Sequence, residues 1–146
     1  MSRTTANISF ALIGIQTLEF MMNKELYTNE ANVDLEINGE FAIKSLEECE
    51  IACIPEVAFI QAGNPFLQLK VACYFSVQPT QWKEYIQKES QSIVFPKGFT
   101  DHLLMLATGT LRGILHAKTE NTIFNQFILP TINVTALTQG DTVINI

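Results

Sequence analysis

From about Gly98 to Lys118 the chain carries apolar residues around most of a helix's circumference, and no other feature restricts its fold as tightly. Pro96 suits a helix's first turn, where its missing N–H costs nothing, and Thr100 and Asp101 are apt first-turn residues. Such a helix would run about 30 Å. One apolar row on it is Leu104, Ala107, Leu111 and Leu115; another is Phe99, Leu103, Leu106 and Ile114, with Thr110 and Gly113 between. The polar stripe, Asp101, Thr108, Arg112 and His116, is narrow. A helix of this kind needs cover on more than one side. One small sheet covers one side only, so a second subunit is expected on the other. Leu103, Leu106, Gly109 and Gly113 are the expected interface, the glycines permitting close approach.

The residues before the helix alternate as strands do. Ile8 to Leu12 alternates, Gly14 interrupts, and Leu18 and Phe20 resume on a shifted phase, which predicts a strand near 7–21 with a bulge or bend at Gly14. Val33, Leu35, Ile37, Gly39, Phe41 and Ile43 face one way against Asp34, Glu36, Asn38 and Glu40, a half-buried strand near 32–44. A third strand near 48–61 contains Pro55, which cannot donate to a ladder and so predicts a bulge or an edge position. After a turn at Gln61–Pro65, a fourth near 66–78 sets Leu67, Leu69, Val71, Cys73, Phe75 and Val77 against Gln68, Lys70, Ala72, Tyr74 and Ser76. A connector with Trp82 and Tyr85 leads to the helix near 98–118. Strands followed by a helix predict an α+β fold: a four-stranded antiparallel sheet with the long C-terminal helix packed on one face. No linker or repeat divides residues 1–146, which are read as a single domain.

Composition narrows the function. Hydrophobic residues make up 47% of the chain and charged ones 16%, more apolar surface than one small domain usually hides. A net charge of −6 argues against a nucleic-acid partner, whose phosphates would require a basic face. The apolar run Ile8–Ile15 is too short to span a bilayer, and no secretory signal is visible, so a cytoplasmic protein without membrane insertion is expected. Three cysteines inside strand patterns fit reduced thiols.

Catalytic and metal chemistry find little support. His102 and His116 lie fourteen residues apart, too far to share a metal within one helical turn. Cys49 and Cys53 would sit about 13 Å apart along a strand, whereas zinc holds each sulfur at about 2.3 Å. Glu47, Glu48 and Glu50 read as a solvated turn and strand edge. Gly109-Thr-Leu-Arg-Gly113 is a helical small-residue spacing, not a phosphate loop. No enzyme, cofactor or metal site is expected. Arg112 and Lys118 complement the helix's negative end.

The fourth strand, the connector, the Ile93-Val94-Phe95-Pro96 entry to the helix, and the closing Ile128-Leu129-Pro130-Thr131-Ile132-Asn133-Val134 together resemble the SecB-type export chaperones. The resemblance implies a four-stranded antiparallel sheet, long helices sandwiched between subunits, a homo-oligomer (dimer or tetramer), and ATP-independent binding of unfolded or precursor polypeptides. There are departures. After Phe95-Pro96 the chain reads Lys97-Gly98-Phe99-Thr100, the span to Leu129 is longer, and the family's zinc-binding tail has no counterpart. Of the acidic pair implicated in docking the translocation ATPase, the Gln16-Thr17-Leu18-Glu19 region retains at most Glu19.

Within that resemblance the aromatic residues divide. Phe59, Phe75 and Phe95 read as core. Tyr74 on the polar phase of its strand, Trp82 and Tyr85 in the connector, and Phe124 and Phe127 after the helix are the candidates for an apolar polypeptide-binding groove, since aromatic area binds without demanding sequence. Two alternatives stand beside a general holdase: a dedicated adaptor or chaperone for one partner, such as an antitoxin, and a small-ligand binder with a pocket between sheet and helix.

Overall fold

The computed structural model describes residues 10–29 and 31–146. Four strands form one antiparallel sheet: β1 (Phe10–Met22), β2 (Asp34–Ser45), β3 (Glu50–Gln61) and β4 (Asn64–Val77), in the order β1-β4-β3-β2. The expected start of the first strand, at residues 7–9, lies outside the described residues. β1 has two irregularities, between Leu12 and Gly14 and between Thr17 and Glu19, so Ile13 and Leu18 are extra residues in its ladder with β4. The first is the interruption expected at Gly14. β3 and β4 meet in a two-residue hairpin at Ala62 (φ +50°) and Gly63 (φ +78°), the left-handed pair that matches strand twist.

Pro55 departs from expectation. It lies in β3, an interior strand, opposite Gly39 and without a register shift. Its missing donor shows instead as a gap in the ladder to β4, which pairs at Cys53 and resumes at Glu56.

The connector is structured. It forms α1 (Pro79–Tyr85) and a short hairpin, β5 (Ile86–Gln87) and β6 (Ser92–Phe95). The residues read as the entry to the long helix are thus a strand. α2 (Lys97–Thr119) follows without a break at Gly109. After single turns at Ile123–Gln126 and Val134–Leu137, a last strand, β7 (Thr142–Asn145), pairs with β6 to make a second sheet in the order β5-β6-β7.

α2 lies on the sheet face that carries the inward phase of all four strands. Leu103, Leu104, Ala107 and Leu111 are fully buried there against Ile51, Cys53, Val57, Val71 and Cys73. Leu104 rides so close over Gly39 of β2 that a Cβ at that glycine would stand 2.8 Å from its Cδ1. The row Leu104, Ala107, Leu111 and Leu115 is core, as expected. Thr108, read as part of the polar stripe, is 3% exposed, while Met105 is 51% exposed. The solvent side is therefore rotated from the expected stripe toward Met105, Gly109 and Gly113.

Long-range contacts finish both ends of α2. The backbone N–H of Lys97 donates to Asp141 Oδ1 (2.9 Å), so a carboxylate far along the chain satisfies a first-turn donor. Lys97 Nζ reaches Asp101 (2.9 Å) and the carbonyl of Thr135 (2.8 Å), and also bonds the Thr138 hydroxyl, which donates to Asp101. At the other end Asn125 Nδ2 donates to His116 O (3.1 Å). Arg112, expected to complement the helix dipole, instead donates to the carbonyls of Leu129 and Pro130, both at 2.9 Å.

The Lys97–Asp101–Thr138 knot gives a pH prediction. Burial pushes the Asp101 carboxyl up, but the Thr138 hydrogen bond and Lys97 outweigh it and hold the group below its usual value. The stability this carboxylate contributes is present above its unfolded pKa of about 3.9 and is lost as pH falls through the lower folded value. Limited acid proteolysis should therefore begin to cut residues 130–146 only below that range. Asp101→Asn should be cut at neutral pH as well; equal resistance of the two proteins would show that the knot does not hold the segment.

The cysteines are free and buried, as expected. Cys53 and Cys73 are cross-strand partners on the helix side. Burial pushes Cys53 far up, with Cys73 adding to the shift, and burial also raises Cys73 against a Thr110 hydrogen bond. Burial and Glu48 raise Cys49. Because the thiolate is the reactive form, a thiol-disulfide reagent at mildly alkaline pH should titrate the native protein only slowly and all three thiols after denaturation. Prompt reaction of the native chain would contradict this packing.

Candidate functional site

The five aromatic side chains singled out in the sequence do not share one groove. Tyr74 is half-buried on the outer sheet face, away from α2. Its hydroxyl donates to Gln16 Oε1 (2.7 Å), Lys44 Nζ sits 5.1 Å from its ring centre, and its edge covers Gly14. Trp82 and Tyr85 come together beside the start of α2. Trp82 packs on Phe95 (centroids 5.6 Å), and Tyr85 on Phe95 (5.5 Å) and Phe99 (5.8 Å). Both are buried. Amphipathic α1 places them: Trp82 and Tyr85, three residues apart, fall on one face.

Phe124 and Phe127 come together at the other end of α2. Phe124 is wholly buried against Phe66 (5.7 Å) and Tyr27 (5.6 Å). Phe127 is half-buried on Phe59 (5.3 Å) and Tyr27 (5.4 Å). Of the five, Phe127 lines an open cavity.

That cavity, about 410 Å³, runs along the outer side of α2 between Gly109, Arg112, Gly113, Leu115 and His116 and the returning chain at Phe127 and Ile128. The two glycines make its floor, and a Cβ at either would meet nothing within 4 Å. Ile128 stands over the rim, 64% exposed. The Arg112 bonds to Leu129 and Pro130 hold the rim against the helix and direct two of the guanidinium N–H donors to backbone carbonyls. The cavity is thus apolar at its walls, with His116 at one end beside Glu120 (3.7 Å).

A second uncovered area adjoins α2 on its other flank. Leu12 and Ile15 pair with Phe75 and Cys73 and so belong to the helix side of the sheet. Yet they are 48% and 50% exposed, because α2 packs mainly over β3 and β4. α2 touches β1 near its ends, with Phe99 (5.9 Å) and His102 (5.5 Å) on Phe10 and Lys118 over Phe20 (5.1 Å). Leu106, on the flank between them, is itself exposed. Of the four expected interface residues, Leu103 is buried in the chain's own core, while Leu106, Gly109 and Gly113 face outward. The β1 row was missed because its alternation reads as buried; only the helix's position shows otherwise.

Chemically, these surfaces offer apolar area and backbone carbonyls. Among the described residues no three His, Cys, Asp or Glu side chains are placed to hold a metal ion, and no helix is long and apolar enough to cross a membrane.

No family profile and no curated protein sequence matches the chain. Among solved structures it is similar to the Rv1957 SecB-like chaperone of Mycobacterium tuberculosis, determined in complex with a ChAD peptide from the Rv1956 HigA1 antitoxin. That similarity has a TM-score of 0.50 at 10% identity and covers 85% of this chain and 91% of that one. With its four-stranded antiparallel sheet and the long helix across one face, the fold of this chain is SecB-like.

Proposed function

We propose that the protein is a chaperone that binds non-native polypeptide, without nucleotide, by seating apolar side chains in the cavity between α2 and Ile128. The observation that carries this reading is the cavity itself: an apolar trough floored by two glycines on a chain whose helix leaves both flanks uncovered. A shallow apolar site with few directed polar groups selects for area rather than sequence, which is what a binder of many unfolded chains requires. The net charge of −6 keeps such a surface soluble and favours basic clients by long-range attraction. The uncovered row of Leu12 and Ile15 with Leu106 and Met105 is the face proposed to meet a second copy of the chain.

The test is suppression of thermal aggregation of several unrelated proteins at equimolar protein without nucleotide, alongside native mass measurement. Suppression across clients supports a general holdase. Failure with every client, including a basic one, removes the reading.

A second reading is favoured by one finding: the similar Mycobacterium tuberculosis chaperone is bound to an antitoxin peptide. A dedicated chaperone of one neighbour-encoded protein would protect that protein and fail on unrelated clients. β1 carries the single carboxylate Glu19, opposite Lys70, so docking of a translocation ATPase is not part of the proposal.

A further inference from the structure

The last strand of the chain occupies a place that another extended chain can take. β7 is four residues long and pairs along β6 at Ser92–Asn145, Ile93–Ile144, Val94–Val143 and Phe95–Thr142, with one further bond from Ile146 N to Gln91 O (2.9 Å). Its side chains contribute little. Val143 and Ile146 are 61% and 43% exposed, and Ile144 packs partly against the core. The strand it pairs with belongs to the core: Ile93 and Phe95 of β6 are fully buried, and Phe95 is the ring on which both Trp82 and Tyr85 pack. The segment before β7 is anchored at Thr138 by Lys97 and Asp101. Between Thr138 and the strand lies Gly140 at φ +124°, with open space around an added Cβ, and beyond it Asp141 accepts the Lys97 N–H (2.9 Å). β7 is therefore a short strand entered at Asp141 and Thr142, which touch the first turn of α2, and beyond them it rests on its ladder to β6, on β2 and on one inward apolar side chain.

The geometry points to β6 as a strand-addition site whose resident occupant is β7, exchanged for an extended segment of a bound polypeptide with a β-branched or larger apolar residue at the position of Ile144. Strand addition takes affinity from main-chain hydrogen bonds and specificity from alternate side chains. Here the ladder asks for one inward apolar residue and no charge. A tethered strand competes at an effective concentration in the millimolar range, so a free peptide displaces it poorly. A client already seated in the α2 cavity competes on equal terms. From Thr100, which faces Thr142, to Gly113 is about 20 Å along the helix, a span of about six extended residues. The exchange rests on the proposed polypeptide binding for its client, but the slot does not.

The test locks the strand in the full chain. Gln91 and Ile146 form a hydrogen-bonded pair, and such pairs alternate, so Val94 and Val143 are a non-hydrogen-bonded pair, where side chains stand closest. In Val94→Cys/Val143→Cys, oxidation with diamide joins the two sulfurs. Each thiol loses its proton, the diazene N=N bond takes up the two electrons and two protons as a hydrazine, and dithiothreitol reverses the step. The native cysteines are buried from the reagent. Two probes are titrated by fluorescence anisotropy: reduced, carboxymethylated α-lactalbumin as the unfolded client, and a labelled peptide with the sequence of residues 139–146. Ile144→Ser, which removes the inward side chain, loosens the strand without a lock.

The oxidised pair should bind the client about tenfold more weakly than the same protein reduced, and Ile144→Ser should bind the peptide about tenfold more tightly than wild type. Client binding unchanged by the lock overturns the exchange while leaving the chaperone reading intact. Tight peptide binding by Ile144→Ser with no client binding by wild type keeps the strand slot and overturns the chaperone reading. Covalent dimers on oxidation at micromolar protein make a second copy of this chain the occupant and overturn exchange with clients.

Discussion

Trp82→Ala should lower folding stability by about 3–5 kcal/mol, the cost of removing a large buried aromatic and leaving a cavity. Trp82 is 2% exposed, packed between α1 and Phe95 in the cluster that joins β6 to the first turns of α2. It carries a second feature that separates volume from polarity. Its indole Nε1 is buried with no hydrogen-bond partner among the described residues. An unsatisfied buried donor costs about 1–3 kcal/mol, so Trp82→Phe removes that penalty along with part of the volume. The phenylalanine variant should therefore lie much nearer wild type than the alanine variant. Urea midpoints at constant m-value are the measurement. Equal midpoints for the two variants would mean that neither the cavity nor the orphan donor sets the energetics. The same burial places this residue in the core, where it packs on Phe95 of the strand that pairs with β7.

At the α2 cavity, Gly113→Leu should raise stability and abolish binding together. Glycine inside a helix is less favourable than leucine by about 0.5–1 kcal/mol, and a Cβ at Gly113 meets nothing within 4 Å. The new side chain has room to grow, and the room is the cavity floor. Client affinity should fall by more than tenfold while the thermal midpoint rises. Ile128→Asp approaches the same site from the rim. At 64% exposed, Ile128 contributes little to the core, so stability should move by no more than about 0.5 kcal/mol. A carboxylate on an apolar rim should weaken client binding by a comparable factor. Anisotropy titration against an unfolded client, paired with thermal melts, reads both quantities. A pair of variants that still binds like wild type would place the client elsewhere on the molecule.

The aromatic residues are neighbours in sequence, and the fold divides them by the length of α2. Tyr85 reaches its first turn and Trp82 the Phe95 just before it, Phe124 and Phe127 lie beyond its last turn, and Tyr74 lies across the sheet. A groove is a property of distances in space, and a 23-residue helix separates its ends by more than any side chain spans. Phe127 reaches the cavity because the chain turns back at Leu129, where Arg112 holds it.

What the sequence determined by itself was the set of elements with strong periodicity: four strands with alternate apolar residues, the irregularity at Gly14, and one helix with apolar rows at Leu104, Ala107, Leu111 and Leu115. Burial demands those periods, so they are written locally. Only the tertiary structure decided the rest. β6 and β7 are too short for alternation to register; SIVF and TVIN become strands because each supplies the other's hydrogen bonds. The first-turn donor of Lys97 waits on Asp141, and the carbonyls of Leu129 and Pro130 on Arg112. Leu12 and Ile15 have the pattern of buried residues and are exposed because α2 crosses other strands. A side chain's period says which face it shares. Whether anything covers that face depends on where a distant element comes to rest.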